Sequence, residues 1–360
     1  MTRILELLIA MVLVAVIAIA VGLVLPSHRY VSFTTETNRP LPVVFDLLDG
    51  FSRFKDWNAL HNLDPKATFA VLGSPESGQG ARVDYASTIP QLGNGSWQVA
   101  EAVPGEKIVY TLENSDYGSN KRMTFKFKRV GNQKLSVEIT ESYDVDYGFN
   151  LFGRYAGLYV SRSVGDTMKT SLANLSALLA TVPKFDYTQL SVAPKVVSLP
   201  AENLLTAPTT AKRANDLVES AMQAQEKWLH QVIDHNGLEA TGPIRIVTTN
   251  FGADTYEFDV AIPVRKIGQT TTASPSQLAV TLEGPVQYLQ TKPTRGITTT
   301  YSGHMAQLPT IREAMKAWGV THGEDTDAHP YESYNKGIAA AFTTDGDFTL
   351  FWPVKAQGSK

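Results

Sequence analysis

An apolar run near the N-terminus constrains the fold of this chain more than any other feature. The run, ILELLIAMVLVAVIAIAVGLVL, extends from Ile4 to Leu25, and Glu6 is its only charged residue. As a helix it would be roughly 33 Å long, enough to cross a hydrocarbon core of about 30 Å. A cleaved signal peptide would have a shorter apolar centre and a small-x-small exit, whereas this run ends in VLPSHR. We therefore expect an uncleaved transmembrane anchor over residues 1–27, in preference to a signal peptide or a buried helix.

The charges around the run favour one orientation only slightly. Arg3 and the α-amino group precede the run, and His28 and Arg29 follow it. The positive-inside rule is nearly balanced on side chains, and the amino group favours a cytoplasmic N-terminus. In a bacterial cell we therefore expect a single-pass protein of the inner membrane, with the rest of the chain in the periplasm.

Composition excludes several classes of protein. The 360 residues suggest two domains at the usual ~150 residues each. A hydrophobic content of 43% and a charged content of 19% are ordinary for a globular chain. The net charge of −3 argues against a nucleic-acid partner, which would select a basic surface. Cysteine is absent, which excludes disulfides, thiolate metal sites and cysteine nucleophiles.

The middle of the chain has the alternating pattern of a β-rich domain. YVSFTTET predicts a strand, and PLPVVFDLL, with an early proline, predicts a short helix. In MTFKFKRV and KLSVEITESY, apolar residues occupy every second position, as expected of half-buried strands. Met168, Leu172, Leu175 and Leu179 form one stripe of a long helix that closes the segment.

Local motifs in this segment resemble the START-like (SRPBCC) superfamily, which includes the polyketide cyclase/dehydrase type. FKDWNALHNLDP, SGQGARVDY and EAVPGEKIVY occur in that family's order, although Tyr85 stands where tryptophan is common. The resemblance implies a START-like helix-grip domain over residues 28–183, with a sheet wrapped around the long helix and a cavity for an apolar or amphipathic molecule. It places five aromatic side chains in or near that cavity: Trp57, Tyr85, Trp97, Tyr110 and Phe125. The alternative is that these aromatics fill an ordinary core.

The last third of the chain repeats itself. YEFDVAIPV and DFTLFWPV are strand candidates that end at Val264 and Val354, and the helix residues Trp228 and Trp318 are separated by the same interval. A strand candidate precedes each helix, and GPIRIVTT or HPYESYNKG follows it. The chain therefore predicts a β-α-β-β unit that is present twice. After a linker over residues 184–195, this duplication occupies residues 196–356, and the overall fold class is α+β.

The duplicated unit resembles the GyrI-like effector-binding domain, on the residues YSGHMAQLPTIREAMKAW and the closing FWPV. The resemblance implies a cleft between the repeats that binds small, often cationic molecules, with a glutamate as the charge partner. Glu332, flanked by Tyr331 and Ser333, stands on the matching strand. A carboxylate beside Tyr334 and near Trp352 would attract a cation by Coulomb and cation–π forces.

Two other interpretations of Glu332 stay open. A strand glutamate is most often solvated, because buried charge is usually avoided. Alignment of GPIRIV with HPYESY also places Arg245 where the other copy has Glu332, so the two side chains would form an internal ion pair across the pseudo-dyad.

Motifs for catalysis, cofactors and metals are weak or missing. The sequence lacks G-x-S-x-G, P-loop, H-E-x-x-H and dinucleotide-binding fingerprints. HGEDTDAHP (322–330) concentrates acids and histidines, but its position favours an exposed polar loop over a metal site. We expect no cofactor and no metal.

The sequence therefore favours a membrane-anchored protein that binds amphipathic or cationic small molecules in a START-like cavity and a GyrI-like cleft. The alternative is a small-molecule hydrolase or cyclase/dehydratase in which Glu332 acts as the general base. Without a catalytic constellation, we favour binding over turnover.

Overall fold

The structure is a computed structural model that describes residues 2–72, 75–270 and 275–356. The chain forms two compact units, Met1–Lys184 and Phe185–Lys360.

The first unit combines helices with one antiparallel sheet. Its helices are α1 (Thr2–Val24), α2 (Leu41–Asp49), α3 (Phe54–Trp57), α4 (Leu60–Leu63), α5 (Leu151–Ala156) and α6 (Val160–Thr181). Its strands are β1 (His28–Thr37), β2 (Thr68–Leu72), β3 (Arg82–Ala86), β4 (Asn94–Val103), β5 (Lys107–Asn114), β6 (Ser119–Val130) and β7 (Ser136–Asp146). The strand order across the sheet is β1-β7-β6-β5-β4-β3-β2.

Side-chain alternation explains how this sheet forms its core. Met123, Phe125 and Phe127 of β6 are buried, while Lys126 and Lys128 face outward. The apolar stripe of α6, from Met168 to Leu179, is buried as well, and this helix packs on β1 and α3. The strands and the long helix predicted for this segment are therefore confirmed.

Helix α1 differs from the others because its side chains are mostly exposed. Over Arg3–Val24 it is long and apolar enough to cross a membrane. Its C-terminal end packs against α5, and the short segment 25–27 leads into β1.

The second unit is built on a nine-stranded antiparallel sheet. Its helices are α7 (Asn215–His235), α8 (Leu308–Thr321) and α9 (Gly337–Ala341). Its strands are β8 (Lys195–Leu199), β9 (Asn203–Lys212), β10 (Leu238–Ala240), β11 (Arg245–Phe251), β12 (Thr255–Lys266), β13 (Gln287–Gln290), β14 (Thr294–Ser302), β15 (Tyr331–Tyr334) and β16 (Asp347–Val354). The order is β13-β9-β12-β11-β15-β16-β14-β8, and β10 pairs with β12.

The apolar faces of α7 and α8 contribute to the core of this unit. Met222 and Leu229 of α7, and Met315 of α8, are fully buried with the inner residues of β12 and β16. The helices predicted around Trp228 and Trp318 are thus confirmed as α7 and α8.

Most of the segment 184–195, for which the sequence predicts a linker, belongs to the second unit. Tyr187 is buried, and its hydroxyl lies 3.1 Å from the hydroxyl of Thr321. The carbonyl of Val192 accepts a hydrogen bond from the Thr299 hydroxyl at 2.7 Å.

Candidate functional site

A cavity of about 330 Å³ lies in the first unit. Strands β3 to β7 form one wall, and residues of α4 and α6 form the other. Apolar and aromatic side chains dominate the lining, and they include Tyr85, Trp97, Met123, Tyr143, Val160 and Met168. Small-molecule sites in proteins have this character, with a few polar groups that orient the ligand.

Glu141 supplies a carboxyl group in this cavity. It stands on β7, opposite Phe125 of β6 and Phe33 of β1, so the alternation of the strand turns it into the interior. The residue is 1% exposed, and its Oε2 has no hydrogen-bond partner among the described residues. A buried polar atom without a partner is rare in native proteins, and a water molecule or a ligand group would satisfy it.

The environment of Glu141 favours the neutral carboxylic acid. Burial raises the pKa of the Glu141 carboxyl well above its ordinary value, because the ionised form loses its hydration. A protonated carboxyl offers one O–H donor as well as an acceptor oxygen. The cavity can therefore hydrogen-bond a polar head group while its other walls contact an apolar body.

The five aromatic residues predicted for this domain divide into two groups. Tyr85 and Trp97 line the cavity. Trp57, Tyr110 and Phe125 lie in the core, fully or almost fully buried. The two groups are in contact: the Trp97 ring is 5.5 Å from Tyr110 and 6.2 Å from Trp57, measured between centroids. The core aromatics therefore support the cavity wall from behind.

Sequence reasoning missed Glu141, although its signal is visible. The alternation in KLSVEITESY places Val137 and Ile139 on the inner face of the strand, and it continues through Glu141 to Tyr143. A glutamate at an inward position of an otherwise apolar strand face is the pattern that would have found it.

In the second unit, Glu332 is fully buried and paired with Arg312 of α8. The Arg312 Nε donates to Oε1 of Glu332 at 2.6 Å, and Nη2 donates to Oε2 at 2.9 Å. Burial alone would lower the pKa of Arg312, but the adjacent carboxylate holds that pKa above its ordinary value. Glu332 is therefore neither a solvated surface charge nor an unpaired acid.

The internal pair expected with Arg245 does not form. Strands β11 and β15 place Arg245 opposite Ser333 and Ile246 opposite Glu332. Directly opposed residues share a face, and successive residues alternate, so Arg245 and Glu332 lie on opposite faces of the sheet. Arg245 instead binds Glu202 through both guanidinium Nη atoms, at 2.5 and 2.9 Å.

Tyr334 and Trp352 occupy the core side of this region. Tyr334 is buried edge-on against Phe348, with centroids 4.9 Å apart. The Tyr334 hydroxyl and Trp352 Nε1 are buried without a hydrogen-bond partner among the described residues. A cavity of about 140 Å³ lies near Arg312, and neither Glu332, Tyr334 nor Trp352 lines it.

Two guanidinium groups lie in the lining of this second cavity, and Glu332 compensates the charge of one of them, Arg312. Arg312 and Arg213 contribute guanidinium groups, and no carboxylate belongs to the described lining. The guanidinium carbon Cζ of Arg213 also lies 4.0 Å from the centroid of the Phe251 ring. Among residues 2–72, 75–270 and 275–356, no cluster of three or more His, Asp or Glu side chains is arranged to hold a metal ion.

Comparison with known proteins gives only distant similarities. No family model matches the chain, and no curated protein sequence does so. Among solved structures, the C-terminal domain of EcmrR aligns over 46% of this chain and 99% of its own, with 13% identity and a TM-score of 0.36. A START superfamily protein from Mycobacterium smegmatis aligns over 42% and 97%, with 17% identity and a TM-score of 0.31.

A third similarity is to a hydrolase from Listeria innocua. It aligns over 45% of this chain and 91% of its own, with 14% identity and a TM-score of 0.32. At such identities and TM-scores, these similarities carry no argument about activity. The structural neighbours of the chain thus include a START superfamily protein and the C-terminal domain of EcmrR.

Proposed function

We propose that the first unit is a membrane-anchored START-like domain, residues 28–183, that binds an amphipathic small molecule. The observation that carries this proposal is the Glu141 carboxyl, whose Oε2 has no hydrogen-bond partner among the described residues, on the wall of a cavity that apolar and aromatic side chains dominate. The apolar part of the ligand contacts Tyr85, Trp97 and Met168. Its polar head accepts or donates a hydrogen bond at Glu141.

The protonation of the Glu141 carboxyl determines which ligand head groups are favoured. A neutral hydroxyl or carbonyl group hydrogen-bonds the protonated carboxyl without placing a net charge in the cavity. A cationic amine would instead ionise Glu141, and the resulting pair would have to offset the desolvation of two charges. We therefore propose a neutral head group as the preferred ligand chemistry.

Helix α1 serves as the anchor in this proposal, as its length and exposed apolar surface support. The N-terminus lies in the cytoplasm, and the two units lie in the periplasm of a bacterial cell. Two reporters fused after Lys360 test this topology, one active only in the periplasm and one active only in the cytoplasm. If only the cytoplasmic reporter is active, the proposed topology is wrong.

A matched set of amphiphiles tests the ligand proposal. Dodecanol, dodecylamine and dodecanoate share one chain and differ in head-group charge, and each is added to the full-length protein in lipid nanodiscs. A ligand that binds the folded state raises the melting temperature by mass action. We expect dodecanol to stabilise the wild type most and to lose much of that effect in Glu141→Leu. Equal responses of both proteins contradict the role of Glu141.

For the second unit we propose a duplicated, GyrI-like binding domain over residues 196–356. The symmetric strand order β9-β12-β11-β15-β16-β14 supports the duplication. With Arg213 and no carboxylate in its described lining, the smaller cavity favours an anion over the cation expected from the sequence; the charge of Arg312 is already compensated by Glu332. The general-base role of Glu332 also loses its support, since both carboxylate oxygens already accept hydrogen bonds from Arg312.

The same melting experiment with dodecanoate tests this second site. We expect dodecanoate to raise the melting temperature of Glu141→Leu but not that of Arg213→Gln.

A further inference from the structure

Large apolar side chains are exposed together on residues 149–159, which we call the interfacial segment. It follows β7, includes α5 and ends where α6 begins. Phe149 is 88% exposed, Phe152 77%, Tyr159 69% and Leu158 50%. Apolar groups concentrated in this way mark an interaction surface rather than an ordinary solvated face.

The interfacial segment is fastened to the end of α1. The buried Arg154 donates through Nη1 to the carbonyls of Gly22, Leu23 and Leu25, at 3.3, 2.8 and 3.1 Å. Carbonyls in the last turn of a helix have no partner within the helix, so Arg154 supplies one. The Tyr155 hydroxyl donates to the carbonyl of Ala18 at 2.7 Å. Helix α5 therefore lies beside the last two turns of α1.

This contact fixes the depth of the segment. In the proposed function α1 crosses the bilayer, so its last two turns lie where hydrocarbon meets the head groups. Aromatic side chains are enriched at that depth, and interfacial helices bury their apolar faces by roughly 5–10 Å. Phe149, Phe152 and Tyr159 have the chemistry that this location requires.

The interfacial segment also borders the cavity that contains Glu141. Ala156 and Val160 belong to the cavity lining, as does Tyr147. The Tyr147 ring lies so close to Gly157 that a Cβ there would approach it to 2.7 Å. Tyr159 lines a neighbouring groove that shares Leu63 and Ser163 with the cavity.

We propose that the interfacial segment inserts Phe149, Phe152, Leu158 and Tyr159 into the head-group region of the phospholipid bilayer, so that the cavity exchanges its ligand with lipid. The inference rests on the proposed anchor, and it adds a second membrane contact to it. The partner of this surface is therefore the bilayer itself.

The chain contains no cysteine, so a cysteine introduced by mutation is the single site at which a thiol-reactive label attaches. Phe149→Cys and Phe152→Cys are each labelled with the fluorophore NBD in the full-length protein, which is then reconstituted into phosphatidylcholine and phosphatidylglycerol vesicles. Leu135→Cys is the matched control: it is exposed and apolar, but it lies at the other end of β7, roughly 33 Å from the anchor. Ala15→Cys reports the anchor.

Two quenchers separate the possible outcomes. A lipid with a nitroxide high on its acyl chain is expected to quench the labels at positions 149 and 152, and aqueous iodide is expected to quench the label at 135. Labels at 149 and 152 that respond to iodide as strongly as the control overturn the inference. If the label at position 15 remains in lipid in that experiment, the anchor survives alone; if iodide reaches it, anchor and inference both fail.

Discussion

Arg312 and Glu332 form a bidentate ion pair in the interior of the second unit, with both carboxylate oxygens accepting from one guanidinium group. The pair joins helix α8 to strand β15, which is the next strand along the chain. Because Glu332 is fully buried, its charge depends on this one partner for compensation.

Removal of Arg312 alone should strongly destabilise the second unit. Arg312→Met leaves a buried carboxylate uncompensated, and we expect a loss of about 3–5 kcal/mol in the free energy of unfolding. The double variant Arg312→Met/Glu332→Leu should recover most of that loss. Urea unfolding followed by circular dichroism measures both. Glu239→Gln, which breaks the more exposed pair with Arg265, is the control and should cost about 1 kcal/mol or less. If Arg312→Met and the control variant lose the same free energy of unfolding, burial does not make the Arg312–Glu332 pair more important than the exposed pair.

The stability of the first unit should depend on the ionisation of Glu141. The pKa of this carboxyl is raised in the folded state, so its favourable contribution is complete below the unfolded value of about 4.3 and is lost as the pH rises toward the folded pKa. Glu141→Gln removes this dependence. The melting temperature of Glu141→Gln minus that of the wild type should therefore increase as the pH rises from about 4 to about 8, that is, from roughly the unfolded pKa upward. A gap that stays constant with pH would show that burial does not perturb Glu141.

Asp64 should have the opposite dependence. Its carboxylate accepts hydrogen bonds from the Ser87 hydroxyl at 2.7 Å and from the backbone and hydroxyl of Thr88, which lower the pKa of Asp64 to about 2. The resulting stability is present above the unfolded pKa of about 3.9 and is lost as the pH falls through 2. Asp64→Asn should be less stable than the wild type at pH 7 (well above ~3.9), and the difference should shrink in acid.

The exposed Asp84→Asn variant is the control for Asp64. Asp84 is paired with Arg82 at the surface, so its substitution should change the urea midpoint little. A constant difference between Asp64→Asn and the wild type down to acid pH would rule out the proposed hydrogen-bond network as its cause.

A methyl group at Gly95 should disturb the cavity wall. Gly95 is opposite Tyr85 in the sheet, and a Cβ there would lie 2.6 Å from the Tyr85 hydroxyl and 2.3 Å from the backbone oxygen of Glu113. Gly95→Ala should cost about 1–3 kcal/mol and weaken stabilisation by dodecanol, because the Tyr85 ring must move. Gly242→Ala in the second unit is the control for the added methyl group, because its φ is also outside the left-handed region and a Cβ there would lie no closer than 3.3 Å to the Pro263 side chain. Unchanged dodecanol binding in Gly95→Ala would exclude Tyr85 from the site.

Periodicity was sufficient to predict local structure but not partners. The alternation through Phe125 and Ile139 predicts strands, and the stripe from Met168 to Leu179 predicts a helix, because each pattern depends only on neighbours in the chain. The partner of Glu332 depends on how α8 lies against the sheet, which no local pattern encodes. A hint exists all the same: Arg312 falls between Leu308 and Met315 on the apolar stripe of α8.

The register of β11 against β15 shows the same limit. Alignment of GPIRIV with HPYESY places Arg245 at the position of Glu332, but it cannot show that the two residues face opposite sides of the sheet. The hydrogen-bonding register decides the side, and a shift of one residue would have reversed it.

The hydrogen bonds from Arg154 to the end of α1 have a mechanical consequence. Only residues 25–27 separate α1 from β1, and Arg154 and Tyr155 hold α1 from the side, so the rest of the first unit is joined to α1 without a hinge. In the proposed function, in which α1 crosses the bilayer, a domain joined to its helix in this way tilts with the helix and cannot sweep the space above the membrane. Its search for a ligand is then two-dimensional, limited by lateral diffusion and by the ring of lipids that surrounds it.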